Sequence, residues 1–215
     1  MKSLQRLLLC LVALAFIGTA CAQQKQKGKV KVACIGDSIT EGWGLGDSTY
    51  PAHLQRLLGE AYEVKNYGIG ARTLLAKGDY PYSKEAKFQD AQNWEPNIVI
   101  IKLGTNDTKP QNWKYKDDFI NDYKAFIAKL KSVPSKPKIY ICYPIPVFKD
   151  NFGIRESVLK DEMIPMIKSI ADETGVKLID LYTPMLPYGN LVPDGVHPNR
   201  TGTYYLAEAV YKAIK

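Results

Sequence analysis

Histidine and cysteine are scarce in this chain, and that scarcity narrows the chemistry open to it. Its 215 residues contain two histidines and four cysteines. Cys10 and Cys21 fall near the N-terminus. Cys34 and Cys142 fall inside apolar runs read as buried strands, where a thiol behaves as a small hydrophobe. With no C-x-x-C pair and no histidine cluster, the sequence argues against a structural zinc site, and no metal or organic cofactor is called for. Nucleotide signatures are missing too: there is no P-loop, and the glycines between Glu41 and Asp47 do not fit G-x-G-x-x-G. The apolar run Leu7–Ile17 is shorter than the ~20 residues a membrane span needs. The net charge is +7, but the basic residues do not cluster with aromatic ones, so nucleic acid is not an expected partner.

The first residues read as a leader. Lys2 and Arg6 precede the apolar run, and Gly18-Thr19-Ala20-Cys21-Ala22 follows it, the pattern of a secretory signal over residues 1–22. Cleavage after Ala22 yields a soluble exported protein, periplasmic or secreted. Lipid modification of Cys21 would yield an anchored one, although Gly18 stands where such signals carry a large apolar residue. The soluble form is favoured. Residues 23–28 are then a flexible lead-in, and residues 29–215 one domain with a substantial core, expected as a monomer or weak dimer.

That domain is organised around Val30–Thr40. Val30–Ile35 is short, apolar and rich in β-branched residues, as suits a parallel strand covered on both faces. Gly36 permits a sharp turn, and Ser38 stands at the strand's carboxyl end, where open α/β sheets bind ligands. A serine there is either a helix cap or a nucleophile. Further strands are expected at Tyr62–Tyr67, Asn97–Leu103, Lys138–Tyr143 and Val176–Leu181. Helices are expected at Thr49–Leu58, near Ser83–Trp94, at Asp117–Leu130, at Arg155–Thr174 with Pro165 kinking or splitting it, and at Thr201–Ile214. Alternating β and α units predict a three-layer α/β/α sandwich with a five-stranded parallel sheet in flavodoxin-like order 2-1-3-4-5. Strand ends bring a glycine-rich turn with Gly70 and Ala71, and Asn106 of Gly104-Thr105-Asn106-Asp107, to the same rim as Ser38. Asp107 reads as a loop or cap residue, and His53 as a packed or surface one.

His197 lies three residues after Asp194. In such a turn the carboxylate can accept from Nδ1–H, which leaves Nε2 free to take a proton from a serine.

Gly36-Asp37-Ser38, Gly104-Thr105-Asn106-Asp107 and Asp194-Gly195-Val196-His197-Pro198 together resemble three blocks of the GDSL, or SGNH, hydrolase family. They occur in the family's order, and the family's fold suits the chain from Lys29 to Lys215. The resemblance implies Ser38 as nucleophile, His197 as general base and Asp194 as its orienter. It implies an oxyanion hole of the Ser38 N–H, the Asn106 side chain and a main-chain N–H from the second block. There Ala71 stands where the family carries glycine, with Gly70 beside it; Ala71 is the preferred donor if it can adopt the required backbone angles. The expected reaction is hydrolysis of a short acyl ester, acetyl before others, on a carbohydrate, as in bacterial members related to sialate O-acetylesterases. Asp37, Trp43, Gly70 and Tyr143 are the expected substrate contacts, and Trp43, Tyr67, Trp113, Tyr143 and Tyr188 the aromatic rim. Lysophospholipase or thioesterase activity is the alternative, and a glycan-binding module that has lost catalysis a further one.

Overall fold

The structure, a computed structural model, describes residues 28–215. The leader, Cys21 and most of the lead-in lie outside the described residues. Five strands, β1 (Val30–Gly36), β2 (Tyr62–Gly68), β3 (Ile98–Lys102), β4 (Lys138–Cys142) and β5 (Lys177–Ile179), form one parallel sheet in the order β2-β1-β3-β4-β5. The sheet order is the one the alternating pattern predicts.

Side chains alternate between the two faces of a strand, and here both sets are apolar. Ala33, Ile35, Val99, Ile101, Ile139 and Ile141 point into one buried cluster. Val32, Cys34, Ile98, Ile100, Tyr140 and Cys142 point into the other. Each face therefore needs a helical cover. After the short helix α1 (Ser38–Glu41) comes α2 (Tyr50–Leu58), which pairs with the last helix over the second cluster. The first cluster takes α3 (Ala86–Asn93), α4 (Phe119–Lys131) and α5 (Ile164–Thr174), whose buried residues include Phe88, Tyr123, Phe126 and Ile167. The final helix, α6 (Arg200–Ile214), buries Leu206, Ala207 and Val210. Both strand cysteines are buried free thiols.

Pro165 does not split its segment, which stays helical from Glu156 to Thr174 and takes up the proline through a π turn. Residues Glu156–Val158 are α-helical, Leu159–Met163 make a wide π turn, and α5 then follows with Pro165 in its first turn. Proline has no N–H to give the i→i−4 ladder, and the π turn on its N-terminal side is where the ladder adjusts, Ile164 donating to Leu159.

From β1 the chain goes to one side for β2 and to the other for β3. The carboxyl ends of β1 and β3 thus flank the point where the winding reverses, the place at which such sheets form a crevice. Ser38 follows β1 directly, at that point.

Candidate active site

The turn after β1 is held from below. A Cβ on Gly36 would lie 2.0 Å from Thr40 Oγ1, and one on Gly68 would lie 2.1 Å from the Glu41 amide nitrogen. Only glycine lets α1 sit this close to the two strand ends. Asp37 caps α1, its Oδ1 accepting the Ile39 N–H at 3.0 Å. The Asn66 side chain ties β2 to the same turn by donating to the Thr40 carbonyl at 2.9 Å.

Ser38 Oγ lies 2.8 Å from His197 Nε2, and His197 Nδ1 lies 2.8 Å from Asp194 Oδ2. Asp194 also accepts the backbone N–H groups of Val196 and His197 through Oδ1, at 2.9 and 2.6 Å. Partial burial acts to raise the Asp194 pKa, but the two backbone donors and the imidazole outweigh it and hold the carboxyl below its usual range. The carboxylate is therefore charged where the imidazole needs a partner. Gly195 packs against Lys149 and takes φ +86°, which lets the loop turn between the two side chains.

The second wall is the turn after β2. Ala71 sits at φ +65°, the left-handed region that costs an L-residue with a Cβ about 1–2 kcal/mol. Three ties hold it there. Arg72 donates from its guanidinium to the Gly70 carbonyl at 2.9 Å and pairs with Glu85 at 2.8 Å. Asn106 donates from Nδ2 to the Arg72 carbonyl at 3.2 Å. Asp107, fully buried, accepts the N–H groups of Leu74 and Leu75 at 3.0 and 2.7 Å. Burial pushes the Asp107 carboxyl up to about 7 despite these donors. Within the described residues, no hydrogen bond takes up the Ser38 or Ala71 backbone N–H. Asn106 keeps one of its two amide hydrogens free of Arg72.

A cavity of about 540 Å³ opens over Ser38, between Gly70 and Ala71 on one side and Asp194 and His197 on the other. Ile39, Trp43, Leu45, Pro193 and Pro198 make much of its wall apolar. Glu41, one helical turn beyond Ser38, also faces it, and among the described residues no lysine or arginine lines it. Among the described residues no three histidine, cysteine, aspartate or glutamate side chains converge as metal ligands would.

Two expected substrate contacts are not contacts. Asp37 is wholly buried, its oxygens consumed by Ile39 and by the Lys102 ammonium at 3.0 and 3.1 Å. Tyr143 is half-buried against the cluster beneath α5 and is not part of the cavity wall. Most of the expected aromatic rim is also core: Tyr67 and Trp113 are buried, and Tyr188 stacks on Tyr205 with centroids 4.4 Å apart. Trp43 and Gly70 do line the cavity, and Trp43 is 88% exposed. Missed in the sequence were Lys102, Asp107 as a clamp, Glu41 in the wall and the exposed Phe152, whose ring centroid is 5.6 Å from that of His197. Lys102 had a signal: a lysine closing an otherwise apolar central strand needs a buried partner.

A serine bonded to an imidazole and the imidazole to a carboxylate, with unspent N–H donors beside them, is the equipment of a carboxylic ester hydrolase. Residues 34–203 match the GDSL-like lipase/acylhydrolase family model, and the chain belongs to that family. An acetylxylan esterase of Xylanibacter ruminicola is 43% identical over 207 residues. That match covers 86% of this chain but 43% of the relative, so the chain spans less than half of that protein's length. Among solved structures, an acetyl xylan esterase, AlAXEase, superposes with a TM-score of 0.69 at 24% identity, covering 86% of this chain and 100% of its own. Est24, a carbohydrate acetylesterase from Sinorhizobium meliloti, gives 0.67 at 20% identity over 86% and 97%. At these identities the two structures show the shared fold.

Proposed function

We propose that the protein is an exported serine esterase that removes acetyl groups from a carbohydrate. The observation that carries this reading is the relay from Ser38 Oγ through His197 to Asp194, with both links at 2.8 Å. Ser38 attacks the ester carbonyl as His197 Nε2 takes its proton, and Asp194 fixes the tautomer and stabilises the imidazolium that forms. The N–H groups of Ser38 and Ala71 and the free amide hydrogen of Asn106 receive the developing oxyanion. His197 returns the proton to the leaving alcohol, and water activated by the same imidazole releases the acid from the acyl-enzyme. The carbohydrate part draws on the acetylxylan esterase relative, and export on the basic, apolar and small-residue pattern of residues 2–22.

The apolar wall of Ile39, Leu45 and Pro193 favours a second reading, a longer acyl chain as in lysophospholipases and thioesterases. Hydrolysis of acetylated xylo-oligosaccharides beside p-nitrophenyl acetate, butyrate and octanoate separates the two. Release of acetate from the oligosaccharide, with rates falling as the acyl chain lengthens, is expected. A preference for octanoate with no acetate released would move the function to lipid or thioester substrates.

A further inference from the structure

The loop leaving β4 contains a turn whose backbone is at odds with its sequence. Asn151 and Ile154 close it, Ile154 donating to the Asn151 carbonyl at 2.8 Å. Its central residues, Phe152 and Gly153, take φ +53° and +78°. Positive φ at both central positions is the type I′ arrangement, which asparagine, aspartate and glycine populate and a bulky aromatic residue does not. Burial does not compensate: Phe152 is 56% exposed. A half-exposed phenylalanine on a strained backbone beside His197 is the kind of outlier that clusters at functional sites.

The turn is bolted to the loop that bears the base. Asn151 Oδ1 accepts the Phe152 N–H at 2.9 Å, and Asn151 Nδ2 donates to the Asp194 carbonyl at 3.0 Å. Phe148 donates to the Gly195 carbonyl at 2.9 Å. These ties place the Phe152 ring against the His197 imidazole, with 61° between their planes. Phe152 is not part of the cavity wall; it stands beside His197, which is.

We propose that Phe152 is a specificity-determining residue that binds a sugar ring of the leaving alcohol. This rests on the carbohydrate reading above. The alcohol oxygen must lie at His197 Nε2 to receive its proton, so the group attached to that oxygen lies beside the imidazole, where Phe152 stands. An oligosaccharide is also longer than a cavity of about 540 Å³ encloses, and its further rings run out over the rim. The C–H face of a pyranose is apolar and buries well against an aromatic ring. The acetyl group stays on Ser38 and needs nothing from Phe152.

The test compares wild type, Phe152→Gly and Phe152→Trp on an acetylated xylo-oligosaccharide and on ethyl acetate, whose alcohol carries no ring. Phe152→Gly is expected to raise KM for the oligosaccharide about tenfold with kcat nearly unchanged, the effect of losing one apolar platform. Its kcat/KM on ethyl acetate is expected to fall far less than on the oligosaccharide, and Phe152→Trp keeps the wild-type KM for the oligosaccharide. Because glycine suits this turn, Phe152→Gly is also expected to raise Tm by about 2–4 °C, so that sugar binding and stability move in opposite directions. An unchanged oligosaccharide KM, or equal losses on both esters, overturns the proposal while leaving the carbohydrate reading intact. Wild type that hydrolyses ethyl acetate but not the oligosaccharide overturns both.

Discussion

Lys102 places its ammonium 3.0 Å from Oδ1 and 3.1 Å from Oδ2 of Asp37, and both side chains are shut off from solvent. The lysine also donates to Thr105 Oγ1 at 2.8 Å, in the turn that carries Asn106. Burial lowers the Lys102 pKa, and the Asp37 carboxylate acts against that fall. The pair joins the end of β3 to the turn that presents Ser38. Removing one partner strands a charge in the core, at a cost of about 3–5 kcal/mol. Lys102→Met is expected to lose about that much in denaturant unfolding and to slow turnover through a misplaced Ser38. Adding Asp37→Asn, which keeps the cap on Ile39, recovers part of the stability. A double variant no better than the single one would mean that the charge pairing is not the cause.

Ala71 carries the strain of the turn after β2. Ala71→Gly is expected to stabilise the protein by up to about 1 kcal/mol, since relief of the left-handed backbone is partly offset by a freer unfolded chain. Activity is expected to be retained, because the donor proposed at this position is a main-chain N–H. Ala71→Val, with a branched Cβ at positive φ, is expected to lose both stability and kcat. Thermal unfolding of the three proteins beside their p-nitrophenyl acetate rates checks this.

Asp107 gives stability a pH dependence of definite sign. Its folded pKa of about 7 lies above the ordinary aspartate value near 3.9. The folded state therefore holds the proton more tightly, and the contribution is complete below pH ~4 and lost as pH rises through ~7. The span corresponds to a limit on the order of 4 kcal/mol. Asp107→Asn removes this titration, so the Tm of wild type relative to the variant is expected to fall between pH 4.5 and 7.5. A difference that stays constant across that range would contradict the assignment.

Glu41 puts a second carboxylate in a cavity whose lining, among the described residues, includes Asp194 but no lysine or arginine. A sugar bearing its own carboxylate meets like charge there and no cation. Acetylated xylo-oligosaccharides are expected to be better substrates than acetylated sialic acid. Glu41→Gln should narrow that gap by a factor of a few at low salt and less at high salt. Equal discrimination by variant and wild type would remove Glu41 from specificity.

β1 and β3 were the most legible strands because each is a short, mainly apolar run ending in a glycine-bearing turn, and Val32–Ile35 and Ile98–Ile101 are buried on both faces as such runs require. Ser38, Asp194 and His197 were legible as motifs, and the structure brings them into one hydrogen-bonded line. Ala71 was named as donor on condition that its backbone could adopt the angles required, and the structure gives it φ +65°. What could not be read depends on distant partners. Nothing local to Asp107 says that its carboxylate meets Leu74 and Leu75, or that Asp37 faces inward to Lys102. Aromatic residues are apolar whether they stack on sugar or fill a core, so Tyr67 and Trp113 were mistaken for rim. Phe152 escaped because a phenylalanine before a glycine announces no turn of its own.

The central claim, an acyl-enzyme on Ser38 fed by His197, is tested most directly by intact-mass spectrometry of protein quenched during turnover of p-nitrophenyl acetate. The expected result is one added acetyl group, located on the peptide containing Ser38. It accumulates further in His197→Gln supplied with an activated ester, because deacylation then lacks its base, and it is absent in Ser38→Ala. Turnover that persists in Ser38→Ala, or an acetyl group found only on other residues, would contradict the account.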